Sequence, residues 1–189
     1  HIASHAFYIP TPKNNSSQPP NLFRLQNDLN LIPRRFQNEN PLLRSGVVLA
    51  GANNQNSISK DDGYLTAMEI SLLNWKDTEL VVISGCDSGK GDLISGEGVY
   101  GLKRSINIAG AKSSILTLWK VDDIATRAFM ENFYQNLKLG KTREDALLQT
   151  QRDFRLGVIK SPSFITSDWR KPFYWASFNL NGDWRELDL

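Results

Sequence analysis

The chain has 189 residues, 40% of them hydrophobic and 10% aromatic, which is enough to bury a core in one domain and too apolar for a disordered chain. Twenty-two basic against twenty acidic residues leave a net charge of +2 with no basic stripe, which argues against nucleic-acid binding, and neither a bilayer-spanning apolar run nor a signal peptide is visible. A single cysteine, Cys86, excludes an intrachain disulfide framework and suits a reducing compartment, so an intracellular, cytoplasmic protein is expected.

In chain order, His1-Ile2-Ala3-Ser4-His5-Ala6-Phe7 reads as an apolar strand segment ending at a histidine. Because the text opens inside that segment, without a methionine, the chain is expected to be a fragment whose sheet takes further strands from upstream residues. Residues 8–44, with Pro10, Pro12, Pro19, Pro20 and Pro41, read as a long loop or insertion. A short strand over 46–50 follows, flanked beyond by the turn residues Asn53 to Asn56 and Asp61-Asp62-Gly63. Thr66 and Glu69 form a capping box that starts a helix reaching about Asn74. Thr78 or Glu79 then opens a strand that ends at Cys86.

Residues 98–109 carry Val99, Leu102, Ile106 and Ala109 at a helical period stopped by Gly110, and 114–118 is the next strand. Asp122 or Asp123 caps a long helix whose face holds Ile124, Ala128, Phe129, Phe133 and Leu137, as far as Gly140. Thr142 with Asp145 starts another helix to about Leu156, and 174–180 reads as a last strand. Strands alternating with helices predict a single α/β domain over 1–189 with a mainly parallel sheet. The tryptophans read as core.

Cys86 closes the apolar run 80–86 just before the polar stretch Asp87-Ser88-Gly89-Lys90-Gly91, and open α/β sheets place their chemistry at the carboxyl ends of such strands. A cysteine with a histidine distant in sequence is the economical catalytic reading, set against the inert core thiol that is the commonest fate of a free cysteine. His1 and His5 lie four apart, on one side of a strand, so spacing alone does not choose between them. Asp87 and Glu97 suit either the cleft or their own turns. Gly96, Gly98 and Gly101 match the dinucleotide fingerprint, with Asp122 at the right distance, but several polar residues separate them from the strand ending at Cys86, where the fingerprint needs its turn at once. No paired cysteines or histidine cluster suggests a metal, and no cofactor is expected.

The blocks His1-Ile2-Ala3-Ser4-His5, Leu49-Ala50-Gly51-Ala52-Asn53, Ser84-Gly85-Cys86-Asp87, Gly96-Glu97-Gly98-Val99-Tyr100-Gly101, Leu118-Trp119-Lys120-Val121-Asp122-Asp123 and Trp175-Ala176-Ser177-Phe178 together resemble the CHAT domain, the caspase-like peptidase module associated with tetratricopeptide repeats. The resemblance implies a caspase-like αβα sandwich, a cysteine endopeptidase acting through an acyl-enzyme, and a dyad of His5 and Cys86. The backbone amides of Ala6 and Cys86 would form the oxyanion hole, in positions where the family usually has glycine after the histidine and alanine, here Gly85, before the cysteine. By analogy with separases, Asp123 would bind a basic P1 side chain while Asp122 caps its helix, with Asp87 near the cleft. The implied partners are a protein substrate and a helical-repeat region or regulatory partner, with no nucleic acid and no membrane. The competing class is a caspase-like scaffold without turnover.

Overall fold

A computed structural model describes residues 1–8, 40–52, 62–84, 93–94, 98–99 and 101–188. Strand β1 (Ala6–Tyr8) pairs antiparallel with β2 (Ser45–Val48), and β2 with β3 (Tyr64–Thr66), in the order β1-β2-β3. A second sheet, β4-β7-β8, joins β4 (Val81–Ile83) in parallel to β7 (Ser113–Thr117) and β7 in antiparallel to β8 (Phe178–Gly182). Between β4 and β7 in sequence, β5 (Leu93–Ile94) and β6 (Gly98–Val99) make a small antiparallel pair. Four α-helices are described: α1 (Ala67–Ser71), α2 (Leu102–Ala109), α3 (Asp123–Lys138) and α4 (Arg143–Arg155). None of them is long and apolar enough to cross a membrane.

The mixed α/β composition agrees with the sequence, but the mainly parallel sheet does not. Among the described strands only β4–β7 and a bridge between Ile2 and Ile83 are parallel, while β1–β2, β2–β3, β5–β6 and β7–β8 are antiparallel. The reason for β8 lies in the helices before it. Helix α3 leaves the carboxyl end of β7, α4 packs against α3, and the chain returns to the end it left, where Phe178 pairs with Thr117. A strand entering from there can only run antiparallel, whereas β4 and β7 are separated by the crossover that a parallel pair requires.

Alternation along β4 and β7 serves two apolar layers. Val82 and Ile115 face α3 and α4 with Phe129, Phe133 and Phe154, while Val81, Ile83 and Leu116 face α1 and α2 with Ile70, Leu102 and Ile106. Phe129 stacks on Phe178 with ring centroids 3.9 Å apart, fixing α3 on β8. The caps work as their residue types predict. The Glu69 N–H donates to Thr66 Oγ1 at 3.2 Å while Thr66 N–H donates to Glu69 Oε2 at 2.7 Å, and the Asp145 N–H donates to Thr142 Oγ1 at 3.0 Å.

Several boundaries differ from the sequence reading: β4 starts at Val81 rather than at Thr78 or Glu79, and β2 ends at Val48 rather than at Ala50. Helix α1 stops at Ser71, short of Asn74, and α2 begins at Leu102, because Gly98 and Val99 belong to β6 and Gly101, at φ 143°, takes a backbone conformation a helix cannot use. The last strand starts at Phe178, since Pro172 at the first position of a 3₁₀ turn holds Pro172–Tyr174 in helical geometry. Trp169 is in the core, but Trp75, Trp119 and Trp175 are half-buried and Trp184 is exposed. The predicted insertion falls mostly outside the described residues, which resume at Asn40 with a 3₁₀ turn at Pro41–Leu43.

Candidate functional site

The N-terminal segment, from Ile2 to Tyr8, touches both sheets. Ile2 bridges Ile83 in parallel: its N–H donates to the Val82 carbonyl at 2.7 Å, and its own carbonyl accepts from the Ser84 N–H at 3.2 Å. By His5 the same chain is held on its other side, where the His5 carbonyl accepts from the Val48 N–H at 2.7 Å and Ala6 opens β1 opposite Val47. The transfer from β4 to β2 happens around Ser4, whose hydroxyl donates to the Val48 carbonyl. The His5 side chain emerges exposed, with no hydrogen bond to its imidazole among the described residues, and Ala6 is half-buried beside it.

Cys86, Gly85, Asp87 and Glu97 lie outside the described residues, as does Gly96 of the glycine triplet. The last described residue on the cysteine's side of β4 is Ser84. In sequence the short pair β5–β6 stands between β4 and α2, so the core strand β4 does not pass directly through a glycine turn into that helix, as it would in a dinucleotide site.

Asp122 and Asp123 sit where β7 gives way to α3. Asp122 is the N-cap, accepting from the Ala125 N–H at 2.9 Å, and Asp123 is the exposed first residue of the helix. The two carboxylates therefore differ: one is spent on a backbone donor, and the other is exposed. Close by, Trp119 Nε1 donates to the Phe173 carbonyl at 3.0 Å and Leu118 N–H to the Ser177 carbonyl at 3.0 Å, which ties the two tryptophan-containing blocks together.

His1 has a different environment from His5. Its Nε2 lies 3.1 Å from Ser84 Oγ and its Nδ1 3.0 Å from the Tyr134 hydroxyl on α3. Burial pushes the Tyr134 phenol above its ordinary value, so it remains a neutral hydroxyl at physiological pH. His1 and Tyr134 border a groove of about 460 Å³ whose other walls include Leu80, Val82, Leu137 and Leu187. This cluster was not legible as such in the sequence: Tyr134 is far from both partners in the text, and its position on α3 is set by the helical repeat that buries Phe129 and Phe133. Among the described residues no three His, Cys, Asp or Glu side chains converge as a metal site.

No curated protein matches the sequence. A family model does: the CHAT domain, over residues 1–183. With that match running from the bridged N-terminal strand through the end of β8, the chain belongs to the CHAT domain family, which is related to the caspase-like peptidases.

Proposed function

We propose that the chain is a cysteine endopeptidase with Cys86 as nucleophile and His5 as general acid and base, built on a caspase-like αβα sandwich. The observation that carries this reading is the parallel bridge. Ile2 and Ile83 pair side by side in the same direction, and His5 and Cys86 each follow three positions later in the sequence, so the bridge joins the two segments that lead towards the proposed dyad. Family membership and the exposure of His5 support it.

The Cys86 thiolate would attack the scissile carbonyl carbon, forming a carbon–sulfur bond and an oxyanion held by the Ala6 and Cys86 amides. Collapse breaks the carbon–nitrogen bond as protonated His5 gives its proton to the leaving amine. Water, losing a proton to His5, then attacks the thioester and regenerates the thiol. Asp123 supplies the anionic wall for a basic P1 residue, with Asp122 as cap and Asp87 near the cleft. The substrate is a protein, selected by a helical-repeat region or regulatory partner, and the compartment is the cytoplasm.

A second reading, a scaffold without turnover, is favoured by one observation: no described side chain orients the His5 imidazole, whereas catalytic bases are normally held by a third group. An irreversible thiol-directed peptide inhibitor separates the two. Wild type should label at Cys86, and His5→Ala should label at least about 100-fold more slowly; equal, slow labelling of both proteins establishes the scaffold.

A further inference from the structure

We infer that His1 is a positioning residue: its imidazole links Ser84, at the end of β4, to Tyr134 on α3, and so fixes the backbone from which the chain continues towards Cys86. The inference rests on the peptidase reading for its functional consequence, but the linkage itself is a property of described residues alone.

Ser84 Oγ is 3.1 Å from Nε2 and the Tyr134 hydroxyl 3.0 Å from Nδ1, so both ring nitrogens are engaged. A neutral imidazole has one donor and one acceptor nitrogen, and a hydroxyl can be either, so the chain Ser84–His1–Tyr134 is satisfied with either tautomer. Of the side chains that could stand at this position, only imidazole offers two ring nitrogens pointing to opposite sides on a short stem. The backbone adds a second tie at the same place, because Ser84 N–H donates to the Ile2 carbonyl at 3.2 Å. Ser84 is thereby held by main chain and side chain at once, immediately after the last residue of β4. Tyr134 brings in the third element. Its ring centroid is 5.8 Å from that of His1, and its neighbour Phe133 is fully buried, so α3 gives the chain a rigid anchor. A strand end that leads into a proposed nucleophile gains from this, since small misplacements of reacting groups are costly in rate.

The test uses the full chain carrying His1→Ala, Ser84→Ala, Tyr134→Phe and the His1→Ala/Tyr134→Phe pair. Hydrogen exchange of the Ser84 amide should accelerate about tenfold in His1→Ala while amides of α4 keep wild-type protection. With the peptide inhibitor, the maximal inactivation rate should fall about tenfold at unchanged inhibitor affinity, and the double variant should be no worse than His1→Ala, because the two side chains act through one linkage. Tyr134→Phe removes a single oxygen from a partly exposed ring and serves if His1→Ala folds poorly. Unchanged Ser84 exchange in both His1→Ala and Tyr134→Phe overturns the linkage. Rate losses that follow the melting temperature, with the two substitutions additive, overturn the positioning role. If His5→Ala labels as fast as wild type, the peptidase reading fails by itself, and the exchange result still decides whether His1 fixes the strand end.

Discussion

Ile2 and Ile83 face each other across a parallel bridge, the only described backbone connection between the N-terminal strand and β4. Ile2→Pro removes the N–H that Val82 O accepts at 2.7 Å, whereas Ile2→Val keeps it. We expect chemical denaturation to show a loss of about 2 kcal/mol for the proline variant, from one broken bond and one stranded carbonyl, against under about 1 kcal/mol for valine. Inhibitor labelling should fall with proline only. Equal behaviour of the two variants would mean that the bridge does not bring the N-terminal strand and β4 into functional register.

The pair Asp122 and Asp123 can be separated because only one of them has structural work. Asp122→Ala strands the Ala125 N–H and should cost about 1 kcal/mol by thermal or chemical denaturation. Asp123→Ala, at an exposed first-turn position, should change stability by less than about 0.5 kcal/mol. Under the proposed function, Asp123→Ala should also abolish preference for Arg or Lys at P1 in a peptide library. An unchanged library profile would remove Asp123 from the substrate pocket while leaving the capping result intact.

Local chemistry was legible wherever a short-range rule decides it. Thr66 with Glu69, Asp122 or Asp123, and Thr142 with Asp145 announce helix starts because capping needs only a side-chain oxygen near free amides, and Gly110 stops α2 in the left-handed conformation that suits it. What the text could not carry was strand direction and distant pairing. The antiparallel entry of β8 depends on α3 and α4 turning the chain back, and the His1–Tyr134 contact depends on where that same helix lies. Arg143 shows the limit most plainly. Nothing in its neighbourhood in the text marks it for the interior, yet it is fully buried, with Glu79 and Asp183, both far away in sequence, as its ionic partners.

Gly182 and Gly140 both sit at positive φ, +87° and +79°, but only one is crowded. A Cβ at Gly182 would lie 2.4 Å from the Lys112 carbonyl oxygen and 3.1 Å from Ser113 Cα, while at Gly140 nothing lies within 4 Å. Gly140→Ala should therefore cost about 1 kcal/mol, the backbone penalty alone. Gly182→Ala adds a clash with main chain at the end of β8 and should cost about 3 kcal/mol. Denaturant melts of the two variants check the order, and equal losses would show that β8 can shift away from Lys112.

The Arg143 cluster predicts both an acid limit and an asymmetry between its two halves. Lys112, hydrogen-bonded to Glu79 at 2.5 Å, is the main cause of a Glu79 carboxyl held below its ordinary 4.5, and Arg143 adds to it. Arg185, which donates to Asp183 through side chain and backbone, holds that carboxyl below 3.8. A carboxylate depressed in the folded state contributes stability that is complete above its unfolded value and is lost as pH falls through the folded one. Stability should therefore begin to drop below about pH 4.5 and keep dropping below 3.8. Glu79→Gln should flatten the upper part of that fall. The asymmetry comes from burial. Glu79→Gln leaves a guanidinium that is wholly inside, with the Arg185 carbonyl at 3.1 Å and Asp183 at 3.6 Å as its remaining partners, whereas Arg143→Met leaves Glu79 still paired with partly exposed Lys112. Removing the cation from the interior should cost within about 1 kcal/mol, since an apolar side chain of similar volume often replaces a buried ion without loss. Removing its carboxylate partner should cost clearly more at pH 7, because the charge stays behind. Urea melts of both variants at pH 7 and pH 4 decide the matter, and a larger loss for Arg143→Met would show that Lys112, not Arg143, is the ion this cluster can do without.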